Sequence, residues 1–473
     1  MKINKLRNKH SNFIYEHFDY HFDNSSVFIE FHFKIRPDIE FHPKLTIHGV
    51  DKKKWDCFPK NYKNVLIFHL GLAEIPSYWK ATCSPEINIQ PYKLSFTQQN
   101  WWKELLIKGL GEFYYKNEID FTPEEFVCFT FNSRAEDLPQ LENRDQYQNK
   151  YLLPLGGGKD SSLLIRILEE NEKQSGCLLL KPLSPAAEKV AAAFQCQQLI
   201  KIERKIDPQL IKLNQKGYLN GHTPFSAYLA FTSTLIAHLF GYQQVLVGNE
   251  SSANQPNLKY LGQEINHQYS KSFEFEQSFR EYAKHFLGMK QTKKTDPSKQ
   301  PQAEYLSALR PLSELKIAQL FSQFPQYHSI FRSCNVGQKK NNWCHQCPKC
   351  LFVFALLYPF IDEQKLTTEI FDHNLFEDDK LTETALELTG NKKQKPFECV
   401  GTYEESQAAF YLSVKKYLDQ GKQLPVVLQK INKEVIKYKE PQDWEKQVET
   451  ILNTWDANNF LNEELTTIIK KQL

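Results

Sequence analysis

Residues 151–168 constrain this chain more than any other stretch. Tyr151-Leu152-Leu153-Pro154-Leu155 is a short apolar run, Gly156-Gly157-Gly158 follow it, and Leu163, Leu164, Ile167 and Leu168 then recur at helical spacing behind Lys159, Asp160 and Ser161. That order predicts a strand, a tight turn and a helix. Glycines let a ligand approach the backbone closely, and the first helical turn offers unpaired N–H groups and about half a positive charge, so the natural guest is a phosphate. The spacing excludes two familiar phosphate loops. A P-loop needs Gly-x4-Gly-Lys-Ser/Thr, and the dinucleotide turn needs a third glycine where Ser161 stands.

The flanking pattern extends this unit into a layered fold. Apolar runs at Cys177–Leu180, Leu199–Ile202 and Val245–Val247 alternate with helix-like spans at Pro185–Phe194 and Phe225–Phe240. Such alternation predicts an α/β domain with a doubly wound parallel sheet over residues 146–300. Ligands of such sheets sit beyond the carboxyl ends of the strands, where Gly248-Asn249-Glu250 joins the glycine loop as a candidate binding segment. Thr223 is a candidate helix cap with Pro224 at the first helical position. Residues 1–145 read as an α+β domain, with strands at Val27–Phe33 and Leu45–Ile47, a mixed region at Val65–Leu72, a turn-prone Tyr78–Glu86 and an amphipathic stretch from Trp101-Trp102 to Gly111. Asn266–Ser272 is a dense polar cluster before a helix-like Phe273–Phe286, and Lys290–Gln302 reads as an exposed loop. Beyond 303 the pattern is helical, with a cysteine segment inside 301–375 and a helical region over 376–473.

Four of the ten cysteines fall between 334 and 350: Cys334-x9-Cys344-His345-Gln346-Cys347-Pro348-Lys349-Cys350. Two-residue gaps let Cys344, Cys347 and Cys350 turn onto one ion, and with Cys334 four thiolates suit a tetrahedral Zn2+ site with no position left for water, while similar spacings also serve iron–sulfur clusters or stay as reduced thiols. The other cysteines are scattered, which favours thiol or metal chemistry over a disulfide framework. A net charge of +3 gives no electrostatic argument for nucleic acid or an anionic membrane. No apolar run reaches the roughly 20 residues of a spanning helix and the first residues lack an apolar leader, so a cytosolic, cytoplasmic protein is expected.

Gly156-Gly157-Gly158-Lys159-Asp160-Ser161 resembles the pyrophosphate loop of the ATP pyrophosphatase (PP-loop) superfamily, usually Ser-Gly-Gly-x-Asp-Ser, with Gly156 in place of the first serine. The resemblance implies an adenine nucleotide alpha hydrolase-like fold. It also implies cleavage of ATP to AMP and pyrophosphate while a substrate oxygen is adenylated. The cysteine spacing is similar to that of the deazaguanine-forming branch, which favours zinc.

Over nearly the whole chain, and in the same order, Ser77–Lys80, Asn220-Gly221-His222, Gly248–Glu250, Asn266–Lys271, Arg332–Asn335, Trp343–Cys350 and Lys395–Thr402 resemble the bacterial UDP-N-acetylmuramoyl-L-alanyl-L-glutamate epimerase family. The implied activity is ATP- and Mg2+-dependent inversion of the terminal L-glutamate in a peptidoglycan precursor. Removing the α-proton beside a carboxylate anion is hard, and adenylating that carboxylate makes the proton accessible to a base. On this reading Gly156, Gly157 and Gly158 bind pyrophosphate, Lys159 or Lys271 offsets phosphate charge, and Asp160 holds Mg2+. Ser161, Asn249 and Glu250 complete the nucleotide site. Cys83, Cys399, His222 and His267 are candidates for acid and base, and Cys334, Cys344, Cys347 and Cys350 for structural zinc. Two competing readings are another adenylating enzyme, deazaguanine-forming or tRNA-modifying, and a non-catalytic nucleotide- and zinc-binding module.

Overall fold

The computed structural model describes residues 3–133, 135–139, 141, 148–182, 184–194, 196–288, 303–392 and 394–473. Its centre is one sheet of eleven strands: β1 Asn12–Asp23, β2 Ser26–Ile35, β3 Ile39–Phe41, β4 Lys44–His48, β5 Glu86–Ile89, β6 Cys128–Phe131, β7 Gln148–Pro154, β8 Ser175–Lys181, β9 Gln198–Lys205, β10 Tyr242–Val247 and β11 Glu304–Ser307. Their order is β11-β10-β7-β8-β9-β4-β2-β1-β5-β6, with β3 beside β2. The block from β11 to β9 is parallel throughout. At β9 an antiparallel pairing, Ile202 opposite Ile47, hands the sheet to the N-terminal strands. The sheet therefore runs without a break through both the 1–145 and the 146–300 stretches.

The N-terminal strands follow from alternation. Val27, Ile29, Phe31, Phe33 and Ile35 are buried, while the residues between them are partly open, and the β1–β2 hairpin closes through Asn24 and Ser25, both at positive φ.

Chain order within the parallel block fixes the ligand side. β7, β8 and β9 step outward in one direction, through helices Lys159–Glu170 and Pro185–Ala193 on one face. The chain then returns through helix Phe225–Phe240 on the other face to place β10 beside β7. The loops after β7 and β10 leave in opposite directions, which opens a crevice at the strands' carboxyl ends. The mixed α/β architecture and the reversal are as the strand–helix alternation predicted.

Local readings fared unevenly. Val65–Leu72 lies inside helix Lys60–Trp79, which is buried on nearly all sides and so carries little periodicity. Pro224 precedes its helix rather than opening it, and Thr223 makes no side-chain cap. Glu304–Ser307 is a strand within a region that reads as helical. Lys290–Gln302 lies outside the described residues. Cys177 on β8 and Cys196 after the next helix are joined in a disulfide, at variance with the expectation of scattered free thiols. The helix packs back on the strand it follows, which brings the two together. No described helix is long and apolar enough to cross a membrane.

Candidate active site

The glycine loop is shaped by close approach on two of its three residues. Gly157 has φ +80°, and a Cβ there would meet the backbone N of Ala187 at 2.4 Å. A Cβ on Gly158 would lie 3.1 Å from Ser333 Oγ, whereas one on Gly156 would meet nothing within 4 Å. Gly156 therefore faces open space, beside a cavity of about 790 Å3 that also touches Leu180, Lys181, Arg204 and Phe225 at the carboxyl ends of β7 to β9. Gly158 caps helix Lys159–Glu170, and the hydroxyls of Ser161 and Ser162 both donate to its carbonyl, at 3.2 and 2.9 Å.

Lys159 is fully buried, with its ammonium on the carboxylates of Asp160 and Glu314. Asp160 keeps a quarter of its side chain exposed. Burial disfavours its charge, but Lys159, Lys349 and Lys271 outweigh that and hold it below the usual carboxylate range. A Cβ on Gly248 would lie 3.1 Å from Cβ of Asp160, so the loops after β7 and β10 touch at this carboxylate. Asn249 donates to Ser307 Oγ at 3.0 Å, and Glu250 is buried with its carbonyl on Arg310 Nη1 at 2.6 Å. The fully buried Arg310 also binds the Lys271 carbonyl at 2.5 Å and the Glu276 carboxylate at 3.0 Å.

A line of polar side chains, Glu112, His267, Cys399 and Lys271, runs from this crevice. His267 Nδ1 lies 2.5 Å from Glu112 Oε2, His267 is hydrogen-bonded to Cys399, and Lys271 Nζ lies 3.3 Å from Cys399 Sγ. The charges reinforce one another. Burial disfavours the Cys399 thiolate, but Lys271, His267 and Lys349 pull the thiol down to about 6. Burial likewise opposes the His267 imidazolium, and its bonds to Cys399 and Glu112 raise it to about 9. The result is a thiolate–imidazolium pair oriented by a carboxylate, an arrangement able to take and give protons near neutrality. His222 stands beside it, rings 4.4 Å apart and Nδ1 3.5 Å from Glu112 Oε2. Burial and the neighbouring His267 push His222 down to about 3, so it stays neutral.

Of the sequence candidates, Asp160, Lys271, Cys399, His267 and His222 thus converge. Cys83 does not join this line: it is enclosed in the N-terminal core with Sγ 3.7 Å from the Lys80 carbonyl, and burial raises its thiol well above the ordinary value. Its neighbour Lys80 reaches the Gly221 carbonyl at 2.5 Å and, lowered to about 8 by burial and then Arg204, lies closer to the chemistry. Sequence reasoning missed Glu112, Glu314, Lys349 and Arg310. Only Lys349 carried a local sign, its place inside the cysteine segment.

Cys334, Cys344, Cys347 and Cys350 place their sulfurs within 4.8 Å of one another, with Cys344–Cys350 at 3.7 Å and Cys347–Cys350 at 3.5 Å. Sulfurs at about 2.3 Å from one tetrahedral ion would be about 3.8 Å apart, so the set fits Zn2+. The backbone N–H groups of Gly337 and Cys344 donate to Cys334 Sγ at 3.1 and 3.4 Å, as suits a thiolate. The segment leads straight into the buried helix Pro348–Leu357.

Comparison with known proteins matches residues 4–292 to the MurL N-terminal domain family and residues 327–446 to the MurL C-terminal domain family. Among curated proteins the chain is 33% identical over 357 residues to UDP-N-acetyl-alpha-D-muramoyl-L-alanyl-L-glutamate epimerase of a Micromonospora species, an alignment covering 74% of each chain. It is 34% identical over 340 residues to the protein of the same name from Salinispora tropica, covering 71% of this chain and 70% of the relative. The protein of that name from Xanthomonas oryzae pv. oryzae is 32% identical over 342 residues, covering 70% and 71%.

Proposed function

We propose, on the premise that this chain belongs to the MurL epimerase family, that it inverts the terminal L-glutamate of UDP-N-acetylmuramoyl-L-alanyl-L-glutamate to D-glutamate. In this reading it is an isomerase that activates the glutamate α-carboxylate at the glycine loop and exchanges the α-proton between Cys399 and His267. ATP with Mg2+ would transfer its adenylyl group to the carboxylate oxygen, with pyrophosphate as the leaving group, to give an acyl adenylate. The loop backbone at Gly156–Gly158 and the N-terminus of helix Lys159–Glu170 receive the phosphate oxygens, and Asp160 is the carboxylate placed to hold Mg2+. The open space at Gly156 and the adjoining cavity suit the nucleotide. Lys159, tied to Asp160 and Glu314, positions that carboxylate, leaving Lys271 and Lys349 as balancing charges.

With the carboxylate neutralised and the substrate α-carbon parting the two side chains, the Cys399 thiolate takes the α-proton from one face, and the His267 imidazolium gives a proton to the other. Hydrolysis frees the product carboxylate. Once the product leaves, the contact between the two side chains re-forms and the proton held on sulfur returns to the imidazole, which restores the starting pair. Glu112 orients His267 throughout, and the four cysteines hold structural zinc away from the reaction.

The observation that carries this reading is the clustering of Glu112, His267, Cys399 and Lys271 beside the carboxylate of the glycine loop. Incubating the protein with the UDP-muramoyl dipeptide, ATP and Mg2+ in deuterated water tests it. D-glutamate carrying deuterium at the α-carbon, formed together with AMP, is the expected result. Deuterium exchange without AMP would remove the adenylation step, and absence of both from folded protein would overturn the assignment.

A further inference from the structure

The outer face of the N-terminal strands carries a second group of metal-ligating side chains that the proposed reaction does not use. The β1–β2 register sets His17 opposite His32 and Asp19 opposite Glu30, and the turn between β3 and β4 brings His42 alongside. His32 Nδ1 and His42 Nδ1 face each other at 3.0 Å, and Glu30 Oε1 lies 3.6 Å from His42 Nδ1. Two donors each about 2.1 Å from one ion are about 3.0 Å apart at a right angle and about 3.4 Å apart at the tetrahedral angle. The two separations at His42 Nδ1 are therefore near those one first-row ion imposes, and the ligand atoms of all three residues lie within 4.8 Å of one another.

The surroundings prepare those atoms. His32 Nε2 lies 3.2 Å from Asp19 Oδ2, which holds the ring proton on that side and leaves Nδ1 as a lone pair, the arrangement of carboxylate-supported metal histidines. His17 stacks on His32 with ring centres 3.9 Å apart, fixing its plane. Lys44 holds the other oxygen of Glu30 at 2.7 Å, and the backbone N–H of His42 donates to Asp207 at 2.6 Å. Side-chain exposures of 18% at His32, 31% at Glu30 and 41% at His42 leave the site reachable from solvent.

We propose that His32, His42 and Glu30 form a site for a divalent transition metal of the zinc class, with Asp19 as a positioning residue. Two imidazoles and one carboxylate on adjacent strands suit Zn2+, Co2+ or Ni2+, with the remaining positions taken by water. Such an ion would tie β2 to the β3–β4 turn beside the strand where the two halves of the sheet meet.

Zn2+ content after equilibrium dialysis of the full chain tests this, comparing the parent with His32→Gln/His42→Gln. The double variant is expected to hold one Zn2+ fewer per chain, whatever the cysteines hold. Asp19→Asn is expected to keep the site and weaken it roughly 10- to 100-fold. Glu30→Gln, in which both imidazoles remain, guards against a folding artefact and should also lose affinity. Equal Zn2+ content in the parent and the folded double variant would overturn the proposal, as would an Asp19→Asn affinity equal to the parent's together with an unchanged Glu30→Gln.

Discussion

Lys271 Nζ stands 3.3 Å from Cys399 Sγ, bringing together two side chains 128 residues apart. After burial, which opposes the thiolate, the lysine is the largest influence on the Cys399 thiol. Replacing it with methionine should move the thiol back up toward 9.0. Alkylation of Cys399 by iodoacetamide, followed against pH by peptide mass spectrometry, should show a midpoint near 6 in the parent and one at least a unit higher in Lys271→Met. Coincident curves would mean that the lysine does not set the thiolate.

The working pH window follows from the same pair. Cys399 is depressed from 9.0 to about 6, so its thiolate is lost as pH falls through 6. His267 is raised from 6.5 to about 9, so its imidazolium is lost as pH rises through 9. Solvent deuterium exchange at the glutamate α-carbon should therefore be bell-shaped with limbs near 6 and 9, the two values belonging to the coupled pair. A profile flat across either limb would disconnect that residue from the proton transfer.

Glu112 acts through His267. Its carboxyl is held at about 2 because the bond to His267, with Lys116 and His222 contributing, outweighs burial. Glu112→Gln keeps the size and removes the charge. It should lower the alkaline limb and cut α-proton exchange on the order of 100-fold, while AMP formation changes little. An equal loss of both reactions would indicate a collapsed site instead.

Neighbouring glycines should respond oppositely. Gly157→Ala forces a Cβ against the Ala187 backbone at positive φ and should destabilise the fold by roughly 1–3 kcal/mol, with loss of AMP formation. Gly156→Ala meets nothing in the protein, so its melting temperature should stay near the parent's while KM for ATP rises. Thermal unfolding and AMP kinetics on the two variants separate a loop that needs glycine for its shape from one that needs it for its guest.

Cys347→Ser should remove the metal proposed at the cysteines and loosen the segment entering helix Pro348–Leu357, whose side chains are all buried from Lys349 to Leu357. Elemental analysis should show lost zinc, and the melting temperature should fall. Unchanged metal content would assign the zinc elsewhere.

What the sequence made legible was local. The strand, glycine turn and helix lie within one 23-residue window, Gln148–Glu170, and three of the cysteines lie within seven residues of each other, so each pattern is complete where it is read. The proton-transfer line was visible only in pieces. Cys399, His267, His222 and Lys271 stood out as residue types, but Glu112 is 155 positions from the histidine it faces and falls just past the amphipathic stretch that ends at Gly111. Only the packing of helix Gly111–Lys116 against the loop before Lys271 joins them. Burial hid other elements by removing periodicity, as in helix Lys60–Trp79.

Arg310 has an energetic consequence beyond the positions it fixes. Its guanidinium spans contacts 60 residues away at Glu250 and 39 away at Lys271, and it has no exposure to water. Releasing either carbonyl would leave buried donors unsatisfied, a loss of roughly 1–3 kcal/mol or more for a charged group, so the two segments cannot fray independently. They form one cooperative unit in local unfolding and should share a single amide-exchange protection level. The proposed nucleotide activation and proton transfer would thereby depend on the same free energy and be lost in the same opening event.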